Sequence, residues 1–321
     1  MKPITLAFAA ALTAFSALPG FGETKLTMAV ETPPGDPLNV MLTAFKDDLL
    51  VSEGFSVDFF ESGAMGNETA LTELLRAGQL DVVPLGSDIV ELDSKFAIFD
   101  LPFLFDDKDT ARTLLDGELG GMLADSLLET NGLKVLAFGE LGFRAISNSV
   151  RPIETPADLA GLKLRTPGSQ TRIMAFQALG AAPTPLALGE VYVALRQGVL
   201  DGQENPLSVV KEFSFDEVQE FISLTNHVYT PITLTMAGSV WDALSPEEQE
   251  KVMASAQVSA AATRTLSDDS DASLVSEFTE AGLKVNTPDL APFKEAAAPL
   301  RDEFAQIVSP EFMVAVEEML Q

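Results

Sequence analysis

One long segment without proline or glycine most constrains how this 321-residue chain folds. Ser245 and Pro246 are residue types that cap and open a helix, and two acidic residues follow in the first turn. No proline or glycine then interrupts the chain until Gly282. At about 1.5 Å per residue, an unbroken helix here would be roughly 50 Å long, which exceeds one small domain. The segment therefore predicts a helix running along two domains, with a break near 267–270 as the alternative.

The rest of the chain alternates short apolar segments with segments of helical periodicity. The first part predicts a strand at 25–30, a helix at 38–50, a strand at 55–60, a helix at 67–77 and a strand at 80–85. A second α/β unit begins near residue 142, and two helices, at about 290–307 and 310–320, are predicted to close the chain. This alternation predicts the α/β class, with open sheets flanked by helices.

The first 22 residues have the pattern of an export signal. Lys2 supplies a positive start, an apolar run extends from Ile4 to Leu18, and Gly20 and Gly22 place small residues before a cut. The apolar run is shorter than the ~20 residues that span a bilayer, which disfavours the rival hypothesis of a membrane anchor. We therefore predict that residues 1–22 are a cleaved signal peptide that exports the protein.

Charge and composition exclude several classes of partner and chemistry. The net charge of −28 disfavours nucleic acid, whose phosphates need a basic surface. The absence of cysteine rules out disulfides, a thiol nucleophile and a thiolate metal site. Because salt screens surface charge beyond roughly 8 Å, the global charge says little about the sign of a ligand held in a closed cleft.

A single histidine limits enzymatic hypotheses. His227 lies in an apolar, β-prone context without a nearby nucleophile elbow, so a structural or ligand-lining role is favoured over a catalytic one. Neither a nucleophile–base pair nor a metal-ligand cluster is found in the sequence. The sequence therefore gives no support to an enzymatic function, and we predict no catalytic residue, metal or cofactor.

Two arginines and an asparagine are the candidate ligand-binding residues. Arg144 and Arg165 lie at or near predicted strand ends, where open α/β sheets place their ligand sites. A guanidinium group can hold a carboxylate through two parallel hydrogen bonds, and Asn205 can add an amide donor. Spacing alone leaves open the alternative that the arginines form structural salt bridges.

A resemblance to a known family bears on this choice. The chain resembles the solute-binding proteins of tripartite ATP-independent periplasmic (TRAP) transporters, of the dicarboxylate-binding type, over nearly all of its mature length. The matching segments are Gly66-Asn67-Glu68, Leu101–Phe105, Phe143-Arg144, Arg151–Ile153, Thr155–Arg165, Leu179–Pro185, Glu190–Leu195 and Gln197–Pro206.

The resemblance implies a role for each candidate residue. Arg165 would form the main salt bridge to a ligand carboxylate, Arg144 and Asn205 would support the same group, and Glu68 would lie at the cleft on the first domain. It also implies a two-domain periplasmic binding protein fold with a hinge and a long helix spanning both domains. We expect one domain to comprise 23–141 and 230–270, and the other 142–229 and 271–321.

Some positions depart from the family pattern or remain open. Leu188 stands where many relatives carry an aromatic residue, so it is a candidate determinant of ligand shape. Tyr229, near the expected hinge, is a candidate ligand contact. Arg172 is a possible second cation, whereas Arg196 replaces a usual glutamine and is expected to be an exposed helix charge.

The function implied is capture of a small carboxylate-bearing solute in a cleft between the domains and its delivery to the small and large TRAP membrane subunits. The protein is expected to act as a monomer. The alternative is presentation of the ligand to a sensory receptor kinase. Sugar acids, C4-dicarboxylates, keto acids, aromatic acids and ectoine-like compounds all remain open as ligands.

Overall fold

A computed structural model describes residues 23–321, in which strands and helices alternate along most of the chain. The signal peptide predicted for residues 1–22 lies outside the described residues. Among the helices that are described, none combines the length and the apolar character needed to cross a bilayer.

The strands are β1 (Thr24–Ala29), β2 (Phe55–Phe60), β3 (Val82–Leu85), β4 (Leu133–Phe143), β5 (Ala145–Asn148), β6 (Lys163–Thr166), β7 (Ala182–Pro185), β8 (Gly202–Asn205), β9 (Phe221–Ser223), β10 (Tyr229–Ala237) and β11 (Lys284–Asn286). The α-helices are α1 (Pro37–Leu49), α2 (Glu68–Arg76), α3 (Lys108–Leu115), α4 (Glu118–Asn131), α5 (Gln170–Ala178), α6 (Val191–Arg196), α7 (Leu207–Glu212), α8 (Gly238–Ala243), α9 (Pro246–Glu280), α10 (Ala291–Ala297), α11 (Leu300–Val308) and α12 (Pro310–Met319). Short 3₁₀ turns lie at Ser87–Glu91, Ser94–Asp100, Pro156–Leu159, Leu188–Glu190 and Phe215–Val218.

The strands form two mixed sheets, which confirms the α/β class. The first sheet has the order β2-β1-β3-β10-β4, and the second has the order β11-β9-β5-β8-β6-β7. In the first sheet β1 is parallel to β2 and β3, and in the second β6 is parallel to β7 and β8. Parallel strands end at the same edge of a sheet, so each sheet has one edge where several carboxyl ends meet. The domain boundaries expected above stay a prediction.

The long helix α9 is continuous from Pro246 to Glu280, without a break at 267–270. The Ser245 side chain accepts from the backbone N–H of Glu248, whose carboxylate in turn accepts from Ser245, so a capping box fixes the first turn. The helix packs against α1 and β4 of the first sheet and against α7 and β11 of the second. The predicted helix along both units is confirmed.

The single helix predicted at about 290–307 is wrong. Helix α10 ends at Ala297 and α11 begins at Leu300. Pro299 lies between them and has no backbone N–H to continue a helical hydrogen-bond ladder, so it separates the two helices.

The chain crosses between the sheets where β4 ends and β5 begins. At this crossing the backbone N–H of Arg144 donates to the carbonyl of Val228 at 3.0 Å. This hydrogen bond joins the crossing to the segment before β10, where the chain returns to the first sheet. Gly142, one step before the crossing, has a φ of +103°, and a Cβ built on it would lie 2.7 Å from the hydroxyl of Ser267 on α9. The close approach of α9 to this crossing therefore depends on glycine.

Gly142→Ala should destabilise the protein more than Gly54→Ala. Both glycines have a φ of +103°, but a Cβ at Gly54 would meet no atom within 4 Å. Backbone strain should cost about 1–3 kcal/mol at each site, and the contact with Ser267 should add about 1–3 kcal/mol at Gly142 alone. Urea denaturation measures the difference, and Ser267→Ala should recover part of it in the Gly142→Ala background. Equal losses at the two glycines would contradict this account.

Candidate functional site

A cavity of about 300 Å³ lies where the carboxyl edges of the two sheets meet. This volume falls at the lower end of the roughly 300–1,000 Å³ typical of small-molecule sites. Charged and polar side chains form about half of its lining, and apolar residues that include Leu188 contribute much of the rest. The polar lining comprises Glu31, Asp36, Asn67, Glu68, Thr69, Ser87, Asp88, Arg144, Arg165 and Asn205.

Arg165, near the end of β6, has a guanidinium group without a carboxylate partner. The residue is only 5% exposed, and its Nε donates to the carbonyl of Leu186 at 2.8 Å. Within residues 23–321 the side chain makes no ion pair and no other hydrogen bond, which leaves both terminal nitrogens available to the cavity. Burial lowers the pKa of Arg165 to about 10, so the group still carries its charge at neutral pH.

Arg144, in contrast, is already neutralised. Its Nε and Nη2 both bind the carboxylate of Glu204, the latter at 3.0 Å, and Nη2 also donates to the Asn205 side-chain oxygen at 2.8 Å. The Asn205 amide donates in turn to Gln203 at 2.6 Å. Arg144 and Asn205 thus form one fixed polar surface beside Arg165, held by the pairing of β5 with β8.

A second buried ion pair completes the network behind the cavity. Arg172 binds Glu204 through Nη1 at 3.1 Å and Asp100 through Nη2 at 2.6 Å. His227 contacts Glu204 at 3.1 Å, and burial lowers its pKa, which favours the neutral ring. Arg172 does not line the cavity. Glu204 and Asp100 therefore balance the charges of Arg144 and Arg172. Among the residues described on this side of the cavity, Arg165 remains as the positive charge without a carboxylate partner.

The first sheet contributes an acidic wall, which we define as Glu31, Glu68 and Asp88. Glu68 opens α2 and its Oε1 accepts from the backbone N–H groups of Gly86 at 2.7 Å and Asp88 at 3.2 Å. Glu31 accepts from the N–H of Glu68 at 2.6 Å. Burial first, and the neighbouring carboxylates second, raise the pKa of Glu68 well above its usual range. The wall therefore places a cluster of carboxyl groups opposite Arg165, in surroundings that disfavour further negative charge.

The structure brings most of the predicted site residues together. Arg165, Arg144, Asn205, Glu68 and Leu188 all line the cavity.

Tyr229 does not line the cavity. Its ring packs edge-on against Phe105 and Phe143, and its hydroxyl donates to Glu140 at 3.1 Å. Because Tyr229 pairs with Phe143 where β10 begins, its buried side chain belongs to the packing at the crossing between the sheets.

Sequence reasoning missed Glu31, Asp88 and Glu204, the carboxylate partner of Arg144 and Arg172. A signal existed for the first two, because Glu31 follows β1 and Asp88 follows β3, two parallel strands whose carboxyl ends share an edge. For Glu204 the only sequence signal was its position beside Asn205.

A cavity between the two sheets of an α/β protein, with an arginine in its described lining that has no carboxylate partner, is typical of a binding protein for a small anion. Residues 28–307 match the bacterial extracellular solute-binding protein family 7, DctP. The chain belongs to this family, and it is a TRAP solute-binding protein, as the resemblance implied.

Individual relatives match over nearly the whole chain. The 2,3-diketo-L-gulonate-binding periplasmic protein YiaO of Escherichia coli is 36% identical over 99% of each chain. A TRAP periplasmic solute-binding protein from Polaromonas bound to D-erythronate is 34% identical, with a TM-score of 0.87 over 92% of this chain and 98% of that one. The sugar acid binding protein DctPAm from Advenella mimigardefordensis, in complex with galactonate, is 30% identical, with a TM-score of 0.88 over 93% and 98%.

Proposed function

We propose that this protein captures a hydroxylated monocarboxylate of the sugar-acid class and delivers it to TRAP membrane subunits. The observation that carries the proposal is the Arg165 guanidinium, buried and without a carboxylate partner within residues 23–321. A ligand carboxylate would supply that partner through two parallel hydrogen bonds. Family membership favours import over presentation of the ligand to a receptor kinase.

The opposite wall supports the same class of ligand. Glu31, Glu68 and Asp88 offer carboxylate oxygens, which accept hydrogen bonds from hydroxyl groups. A sugar acid has a carboxylate at one end, which can bind Arg165, and hydroxyl groups along the rest, which can donate to the carboxylates of the opposite wall. Relatives bound to erythronate and galactonate agree with this proposal.

The remaining expectations are part of the same proposal. Residues 1–22 would direct export to the periplasm, and the mature monomer would close two domains, 23–141 with 230–270 and 142–229 with 271–321, over the ligand. Arg144 and Asn205 would orient the carboxylate held by Arg165, and Leu188 would limit the shape of the ligand.

Isothermal titration calorimetry with erythronate, galactonate and glucuronate tests the ligand class. We expect at least one of them to bind with micromolar or tighter affinity. Galactitol is the matched control, because it has the carbon chain and hydroxyl groups of galactonate but carries a hydroxymethyl group in place of the carboxylate. Binding of galactitol as tight as that of galactonate, or no binding by any of the three acids, would contradict the proposal.

A further inference from the structure

The charges that line the cavity are segregated by sheet. Both cationic residues of the lining, Arg144 and Arg165, belong to the side built by the second sheet. The acidic wall, Glu31, Glu68 and Asp88, lies on the side built by the first. A solute that binds Arg165 through one end therefore places its other end toward carboxylates.

No cation of the described chain pairs with the acidic wall. Between residues 23 and 321, none of its carboxylates lies within salt-bridge distance of a lysine, arginine or histidine nitrogen. Glu68 and Glu31 accept instead from backbone N–H groups, which stabilise the ionised form without cancelling its charge. Asp36, which also lines the cavity and is fully buried, adds a further carboxyl group.

The surroundings of the wall disfavour further negative charge. Burial raises the pKa of Glu31, Glu68 and Asp88, and repulsion from neighbouring carboxylates raises each further. Arg165 acts in the opposite direction on Glu31 and Asp88. Another negative charge would either be repelled or force a carboxyl group to take up a proton, and both outcomes weaken binding.

We propose that Glu31, Glu68 and Asp88 form a charge filter that admits hydroxylated monocarboxylates and excludes solutes with a second carboxylate at the far end. This inference rests on the proposed function, because it takes Arg165 as the anchor of the first carboxylate. A terminal hydroxyl group donates a hydrogen bond to the wall, whereas a terminal carboxylate has no proton to donate. The filter thus separates ligands of nearly equal size by charge.

Three pairs of acids that share a carbon chain test the filter. Galactonate and galactarate, gluconate and glucarate, and erythronate and meso-tartrate differ only in whether the terminal carbon is a hydroxymethyl or a carboxylate group. Titration calorimetry at neutral pH gives the ratio of dissociation constants within each pair. For the wild-type protein we expect the dianion to bind about 100-fold more weakly than the monoanion, since two like charges lie close together in a poorly solvated cleft.

Variants that remove a carboxyl group from the wall should lower the ratio of the dianion and monoanion dissociation constants. Glu31→Gln and Glu68→Gln keep an oxygen that accepts the same backbone hydrogen bonds, and each should lower the ratio by about tenfold. Glu73→Gln is the matched control. It removes one charge from the same helix, but its side chain is 69% exposed, pairs with Arg76 and does not line the cavity, so the ratio should not change.

The outcomes separate the filter from the function on which it rests. A monoanion that binds in each pair, a weaker dianion, and a ratio that falls in the wall variants alone would support the filter. Monoanions and dianions of equal affinity, or a ratio unchanged by Glu31→Gln and Glu68→Gln, would overturn the filter and leave the proposed function intact. No binding by any of the monoanions would overturn both.

Discussion

Arg165→Ala should abolish most of the affinity for sugar acids without lowering the stability of the unliganded protein. Removing one partner of a buried, hydrogen-bonded charge pair costs about 2–5 kcal/mol of binding free energy, which corresponds to a roughly 30- to 5,000-fold weaker dissociation constant. Calorimetry with the tightest of erythronate, galactonate and glucuronate measures this loss. The side chain has no carboxylate within ion-pair distance among residues 23–321, so its removal breaks no ion pair in the unliganded protein.

Two further variants separate charge from geometry. Arg165→Lys keeps a positive charge but loses the planar fork, so its affinity should lie between those of the wild type and Arg165→Ala. Arg196→Ala is the matched control, because it removes an exposed arginine at the end of α6 and should leave affinity unchanged. If Arg165→Ala bound as tightly as wild type, the assignment of the anion site would be wrong. If it lowered the melting temperature without ligand, Arg165 would have a structural role.

Local sequence signals were enough to predict the long helix. The cap at Ser245 and the first-turn acids mark its beginning, and no helix-breaking residue interrupts it before Gly282. By the same physical reasoning Pro299 should have divided the predicted helix at 290–307, yet the apolar periodicity on both sides obscured that break. A single proline outweighs periodicity because it removes a backbone donor outright.

The position of the anion site could also be predicted from the sequence, because ligands bind at strand ends in open α/β sheets. What the sequence could not show was which arginine would be free. Arg144 and Glu204 are 60 residues apart, and they meet because β5 pairs with β8 in a register that places Ala145 opposite Asn205. That register depends on packing between distant segments. The ion-paired Arg144 and the unpaired Arg165 are therefore a result of tertiary structure.

The same reasoning explains Tyr229 and the acidic wall. Proximity to the hinge in sequence suggested that Tyr229 contacts the ligand, but its side chain packs with Phe105 and Phe143 beside Glu140. Glu31 and Asp88 had no motif of their own, and the parallel pairing of β1 with β3 brings them to one edge. Residue type indicates what a side chain can bind, whereas strand pairing decides which side chains meet.

Glu204→Gln should destabilise the protein by about 3–5 kcal/mol at neutral pH, because it breaks a buried ion pair and leaves a charge uncompensated. Glu204 is fully buried and binds both Arg144 and Arg172. Arg172 keeps Asp100 as a partner in the variant, but Arg144 keeps no carboxylate. Urea denaturation of the unliganded protein, with an unchanged dependence on denaturant, measures the loss.

The loss of stability caused by Glu204→Gln should also become smaller as the pH falls. Burial alone would raise the pKa of Glu204, but Arg144 and Arg172 hold it well below its usual range. The ionised carboxylate therefore contributes its full stability above the unfolded-state pKa of about 4.3, and this contribution declines as the pH falls below that value. The difference between wild type and Glu204→Gln should shrink accordingly in acid.

Glu277→Gln is the matched control for this effect. Glu277 pairs with Lys211 on the surface, where both side chains are 40% exposed or more, and such pairs contribute about 0–1 kcal/mol. Its removal should change the free energy of unfolding little at any pH. Equal effects of the two substitutions, or a Glu204→Gln difference that grows in acid, would show that Glu204 does not neutralise Arg144 and Arg172. In that case the reason for assigning the anion to Arg165 alone would fail as well.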